Sequence, residues 1–401
     1  EAIAFTEHDR QAIRFYLAPF RWLGLSYELP SLATTGVEAF FEDLARARRD
    51  HPEMVLLAGV EATPGYRWVW RPPWHWELHG AERHLIALGA ERPEQVRRLP
   101  SFTLAGVRTA KNFSIAAWAA LVALLLAFAA WRRRAWPAWL ALVVAAAVAA
   151  GFVRAKAIAD PEEAFIRAAR SEGLFVAWAH PGTHSGVRPG PLGVQLITPP
   201  YTERVFTKPA DGFAALYGDT DTLTEPGGAW DRWMLEWARG ARPPVWAIAA
   251  GDFHREGEAG ENLGNFPMDL WVRERSPQGV MDALFHGRAV AWGLPKDRDL
   301  AVRTLFLETP DGARLRPGDR TRSRPGAFAL SIAIRDLKGR RPILLPLQVV
   351  VDGRAKTWKV RADGTLWREV IPLARGVHLV RVRMRVGALR MEANPMGVIV
   401  R

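Results

Sequence analysis

Two stretches without a charged residue, Asn112–Trp131 and Ala135–Val153, constrain the fold more than any other feature of this 401-residue chain. They run for 20 and 19 residues, and each can cross a hydrocarbon layer roughly 30 Å thick as a helix. Only Arg132-Arg133-Arg134 separates them, so the pair predicts a transmembrane hairpin. Trp118, Trp131, Trp136 and Trp139 are available as interfacial anchors. Strand-and-helix patterning resumes on both sides, and an even number of crossings lets the two sides meet in one domain. The alternative is a hairpin buried in a soluble core, but helices apolar all round need a large core to hide them. Three arginines in the tight turn favour a cytoplasmic turn and an extracytoplasmic body, although Arg108, Lys111, Arg154 and Lys156 flank the other end.

Outside the hairpin, helix signals alternate with short apolar runs. Val37 to Arg49 has an amphipathic pattern. Asp160-Pro161-Glu162-Glu163 supplies an N-cap, a proline at the first helical position and acids in the first turn, and that helix stops at Gly173. Trp230 to Arg239 predicts another, closed by Gly240, and Ser276-Pro277 opens one ending near His286-Gly287. Such units with short connections argue for parallel strands in an α/β sheet or barrel, split by the hairpin at 111–154 into parts 1–110 and 155–298. From about Leu300 the pattern turns to β. Val380, Val382, Met384 and Val386 alternate with Arg381, Arg383 and Arg385, and Asp352-Gly353 and Asp363-Gly364 are hairpin turns. Residues 299–401 therefore predict a small antiparallel β-sandwich.

The apolar runs end on metal-binding side chains. Ala2–Thr6 leads into Glu7-His8-Asp9, Met54–Val60 ends on Glu61, Leu174–Ala179 ends on His180, and Val245–Gly251 ends on Asp252-Phe253-His254. In α/β enzymes the carboxyl ends of strands form the rim of the active site, where residues distant in sequence converge. Imidazole with carboxylate is a ligand set for zinc, manganese or iron, so the pattern reads as a polynuclear metal site. The chain has no cysteine, which excludes thiolate ligands and disulfides.

These residues resemble the PHP family, named for its polymerase and histidinol-phosphatase domains. Thr6-Glu7-His8-Asp9 is similar to the family's Thr-Asp-His-Asp, Gly59-Val60-Glu61 to its Gly-Val-Glu, Ala179-His180-Pro181 to its Ala-His-Pro, and Gly251-Asp252-Phe253-His254 to its Ser-Asp-Ala-His. Arg83-His84-Leu85-Ile86-Ala87-Leu88-Gly89 resembles the segment that supplies another histidine ligand. The five motifs stand in the family's order and cover about 1–110 and 155–295. The resemblance implies a distorted (β/α)7 barrel with two or three divalent transition-metal ions held by His8, Glu61, His84, His180, Asp252 and His254. It also implies hydrolysis of small-molecule phosphoesters by a metal-bound hydroxide, with Glu61, His180 and Asp252 at the reacting centre.

Two departures from the family pattern matter. Glu7 stands where aspartate is common, and the family's first motif, His-x-His, occurs nowhere in the chain. Since Ala2–Thr6 matches the family's second strand, the expectation is a barrel lacking its first strand, which would lie upstream of Glu1. The alternative is a degenerate member short of one metal position. Two other functions stay open: hydrolysis of a carbamate, carboxylic ester or amide on the same fold, and a non-catalytic, membrane-tethered binding protein.

The net charge of +12 sits in the C-terminal region, where residues 301–401 carry 21 Lys/Arg against 8 Asp/Glu. Such a surface suits contact with an anionic surface, though a solvated face accounts for it equally, and nucleic acid is not specifically indicated. The lipid bilayer is the partner expected for 112–153. Among the other histidines, His75 and His79 are placed in a Trp-rich loop with Trp68, Trp70, Trp74 and Trp76. His184 is placed in a loop after His180, facing solvent or substrate, and His51, His286 and His378 in surface or structural positions.

Overall fold

Six of the apolar runs hydrogen-bond side by side in chain order. The protein is seen in a computed structural model that describes residues 1–103, 109–155, 160–183, 186–217, 222–257, 262–339 and 343–401. His184, Arg108 and Lys156 lie outside the described residues. The sheet comprises β1 (Ala2–His8), β2 (Val55–Ala62), β3 (Leu85–Ala90), β4 (Phe175–Trp178), β5 (Gly212–Leu216) and β6 (Trp246–Ala249). β2, β4 and β5 are buried along their whole length, which is why they read as continuous apolar runs. Among the described residues β1 and β6 are its edges and do not pair with each other.

The expectation of parallel strands holds for β1–β2, β4–β5 and β5–β6, and fails at β3, which is antiparallel to both neighbours. The connection explains the reversal. Between β2 and β3 the chain makes a hairpin of strands, Arg67–Arg71 and His75–His79, in place of a crossover helix, and re-enters the sheet from the end it left. The expected Trp-rich loop is thus half of a four-stranded sheet, completed by Gln195–Thr198 and Gly186–Pro189. Alternation in Arg67-Trp68-Val69-Trp70-Arg71 is the strand signal there.

Helices cover the sheet: α1 (Val37–Asp50), α4 (Pro161–Ser171), α5 (Ala229–Arg239) and α6 (Pro277–Phe285), with α2 (Lys111–Arg132) and α3 (Trp136–Ala155) inserted between β3 and β4. Their ends follow the sequence signals. Asp160 accepts hydrogen bonds from the backbone N–H of Glu162 and Glu163, Ser276 Oγ accepts from Gly279 N, and Gly240 closes α5 at φ 85°.

α2 and α3 are long and apolar enough to cross a membrane, and the most apolar windows of the two are only 6% and 11% buried. Leu124, Trp131, Trp139 and Val153 are exposed, the opposite of a hairpin hidden in a soluble core. Among the described residues, the body packs against their near ends. There Phe113 and Phe152 join an aromatic cluster with Phe15, Trp68, Trp70 and Trp76.

Beyond residue 300 an eight-stranded and a four-stranded sheet share one apolar core. Leu305, Leu307, Phe328 and Leu330 come from one sheet, and Leu347, Val349, Val380, Val382 and Met384 from the other. Pairing runs across residue 298, because Met268–Leu270 and Ala289–Gly293 belong to the larger sheet.

The alternating arginines of Gly376–Val386 do not all face water: Arg381 and Arg383 are fully buried against α5. Arg383 Nε lies 2.9 Å from Glu392 Oε1 and Arg385 Nη1 lies 2.8 Å from Glu225 Oε1. Arg381 and Arg383 neutralise the buried carboxylates of Asp231 and Glu392, so the charge of the region overstates its basic surface. Asn394 docks the same sheet on β6 like an added strand residue, accepting from Ala247 N at 2.8 Å and donating to Ala247 O at 3.1 Å.

Candidate metal centre

The parallel strands deliver their carboxyl ends, and the reversed β3 its amino end, to one side of the sheet. His8 closes β1, Glu61 lies near the end of β2, His84 immediately precedes β3, and His180 lies two residues past the end of β4. The reversal of β3 is what lets His84, at the start of a strand, reach the others.

Glu61, His84 and His180 form a buried group able to hold a metal ion, each offering a ligand atom within 4.8 Å of the others. Nδ1 of His84 lies 2.6 Å from Oε1 of Glu61, and Nε2 of His180 lies 3.4 Å from the same oxygen. The two nitrogens are 3.1 Å apart. Despite these approaches Glu61 Oε1 is buried without a well-directed hydrogen bond. A buried carboxylate oxygen left in this state is costly, and a cation at the meeting point of the three groups would satisfy it. The residues therefore fit a divalent transition metal.

The carboxylate and the imidazoles shift one another. Burial alone would raise the Glu61 carboxyl, but the imidazoles of His84 and His180 outweigh it and hold the pKa well below the usual carboxylate range. Burial likewise opposes charge on His84, and the Glu61 carboxylate overcomes it and raises that imidazole. His8 packs edge-on against His84 with ring centroids 5.3 Å apart, and burial lowers its pKa towards the neutral form a ligand requires.

Asp252 and His180 share a backbone property. Both have positive φ, 48° and 28°, at strand ends, a region that non-glycine residues seldom adopt. Each turns its side chain out of the strand line and into the site. Asp252 lines the same cavity as Glu61 and His180, a space of about 560 Å³ walled by Leu57, Ile86, Leu88 and Ile248. Next along the chain, His254 is exposed and its Nδ1 lies 2.9 Å from the Asp252 carbonyl, so it stands outside the compact group.

Two tyrosines went unread in the sequence, and Asp9 was read only as the end of its motif. Tyr201 O–H donates to Ala179 O at 2.5 Å and lies 3.3 Å from Nδ1 of His180, the nitrogen facing away from Glu61. Tyr217 donates to Asp252 Oδ2 at 2.7 Å and packs on the His180 ring at 5.1 Å. Tyr217 directly follows β5, so the strand-end rule would have found it had it included tyrosine. Asp9 is fully buried, and burial pushes its carboxyl up to about 7 against hydrogen bonds from Ser101 and the Arg10 backbone. His75 and His79 face Gln195 and Glu77 on the four-stranded sheet and do not join the cluster.

No protein-family model, no curated protein and no solved structure matches this chain.

Proposed function

We propose that the chain is a membrane-anchored, metal-dependent hydrolase of the PHP type whose substrates are phosphoesters. The observation that carries this reading is the Glu61 Oε1 atom, buried without a well-directed hydrogen bond between the nitrogens of His84 and His180. Zinc, manganese or iron would supply a Lewis acid for a phosphoryl oxygen and a water acidified to near neutrality.

The chain's own groups divide the remaining work. Glu61, His84 and His180 hold the ion, with His8 next in line beside His84. Tyr201 touches the far nitrogen of His180 and so keeps that ring aimed at Glu61. Tyr217 orients Asp252 on the cavity wall, where the carboxylate can accept a proton from attacking water. α2 and α3 anchor the protein in the bilayer, and Arg132, Arg133 and Arg134 in their turn favour a body on the extracytoplasmic side.

The test is metal content and hydrolysis by the purified chain in detergent micelles, supplied in turn with zinc, manganese and iron(II). The expected result is retained metal and cleavage of an aryl phosphate, both lost in His180→Ala. Cleavage of an aryl carbamate alone would move the substrate class to carbonyl esters. A chain that retains no metal and cleaves neither compound is a binding protein.

A further inference from the structure

The loop Leu17–Leu23 is built against the apolar hairpin in a way that a water-exposed loop does not need. Ala18 N donates to Ser114 Oγ at 3.0 Å, and Trp118 Nε1 donates to Ala18 O at 2.6 Å. Both partners belong to α2, inside its charge-free stretch. Trp118 stands about 10 Å along the helix axis from Lys111. On the other helix, Gly151 lets Pro19 approach so closely that a Cβ there would fall 2.3 Å from the proline ring. The loop also satisfies itself, with Leu17 N bonded to Leu23 O, Phe20 N to Leu17 O and Leu23 N to Phe20 O. Backbone at membrane depth is tolerated when its polar groups are met by protein.

The outer surface of this loop and its neighbours is aromatic and aliphatic. Trp22, Leu25, Tyr27 and Trp74 are 77%, 79%, 50% and 87% exposed. Phe20 joins Trp22 to Trp118, with ring centroids 5.8 and 5.6 Å away. The apolar patch is therefore continuous with the apolar surface of the helices. Tryptophan and tyrosine, with apolar bodies and polar tips, suit the headgroup boundary.

We propose that Leu17–Leu23, the exposed face of Gly24–Glu28 and the Trp74 turn form a foot. This foot sinks into the interfacial layer of the leaflet nearest the body. Its occupant is the lipid surface itself. The proposal rests on α2 and α3 crossing the bilayer and adds a third contact, which fixes the tilt of the body. The foot begins directly after Ala12–Tyr16, the strand that follows the one carrying His8, so the body is tied to the membrane through this loop as well as through α2 and α3.

The absence of cysteine makes the test direct. Trp22→Cys, Leu25→Cys and Trp74→Cys are each labelled with an environment-sensitive fluorophore, alongside Leu124→Cys on α2 and Leu366→Cys on the C-terminal sheets. All five sites are exposed, so labelling removes no core packing. Each protein is reconstituted into phosphatidylcholine–phosphatidylglycerol vesicles carrying nitroxide lipids labelled near the headgroup or near the chain end. The expected result is quenching of the foot sites mainly by the shallow nitroxide, of Leu124 mainly by the deep one, and of Leu366 by neither. If Leu124 is quenched and all three foot sites behave like Leu366, the foot is wrong and the anchor stands. If Leu124 is not quenched, the anchor itself fails, and the foot with it.

Discussion

Arg381 on the C-terminal sheet grips Asp231 on α5 through two hydrogen bonds, Nε to Oδ1 at 2.7 Å and Nη2 to Oδ2 at 3.1 Å. Its remaining nitrogen, Nη1, bonds Glu392 Oε2 at 3.0 Å, and Trp230 packs against the guanidinium at 5.0 Å. Removing the cation leaves two carboxylates buried without their main partner. Arg381→Met should cost about 3–5 kcal/mol, read as a drop in the thermal unfolding midpoint. A shift corresponding to less than about 1 kcal/mol would mean that this pair does not hold the two parts together.

At the metal centre, ligand and support should separate experimentally. His180→Ala and Glu61→Gln should each abolish stoichiometric metal binding, measured by elemental analysis after dialysis. Tyr217→Phe leaves the three ligands in place and frees only Asp252. It should retain metal while hydrolysis falls by about 10- to 100-fold. Equal metal loss in all three variants would place Tyr217 in the structure of the site, not in its chemistry.

Asp269 provides a pH test away from the metal. Burial raises its carboxyl pKa, although Trp292 Nε1 and Val302 N both donate to Oδ2 at 2.7 Å. A group raised on folding contributes stability below its unfolded pKa and loses that contribution as pH rises through the folded value. At pH 7 the charge therefore weakens the fold. Asp269→Asn keeps an acceptor for both donors and should unfold at a higher temperature than the parent at pH 7. Its advantage should vanish as pH falls towards 4, and a constant difference at every pH would rule out the carboxyl charge as its source.

Gly151 tests the seam between loop and helix. Any Cβ there meets Pro19 Cγ and Cβ at 2.3 and 3.0 Å, and the proline ring cannot swing aside as a flexible chain would. Gly151→Leu should push the loop off α3 and expose the 17–23 segment to limited proteolysis in detergent. Gly173→Leu, at a site with open space, controls for a general effect of losing a glycine, although its own φ of 77° carries some strain. Cleavage unchanged in Gly151→Leu would show that the loop is not held by this contact.

Much of the architecture was legible because local signals carried it. β1, β2, β4 and β6 end at the histidines and acids that marked them, and Asp160, Ser276 and Gly240 set helix ends as their chemistry dictates. What escaped depends on partners far along the chain. The direction of β3 follows from a strand hairpin hidden in a Trp-rich run. The burial of Arg381 and Arg383 follows from carboxylates on α5 and on the neighbouring strand, which no period-2 pattern can announce. Of the six candidate ligands, the structure gathers Glu61, His84 and His180 tightly, sets His8 and Asp252 around them, and leaves His254 exposed.

The insertion of two apolar helices between β3 and β4 also orders events during synthesis. Glu61 and His84 leave the ribosome before the hairpin, and His180 leaves after it, 96 residues behind His84. At roughly 5–20 residues per second that interval lasts roughly 5 to 20 s. If α2 and α3 cross the bilayer as proposed, both must enter it within this interval before β4 can return to pair with β3. On the proposed reading, a nascent chain whose hairpin stalls short of the bilayer would lack His180 beside Glu61 and His84, so metal capture would report that insertion has been completed.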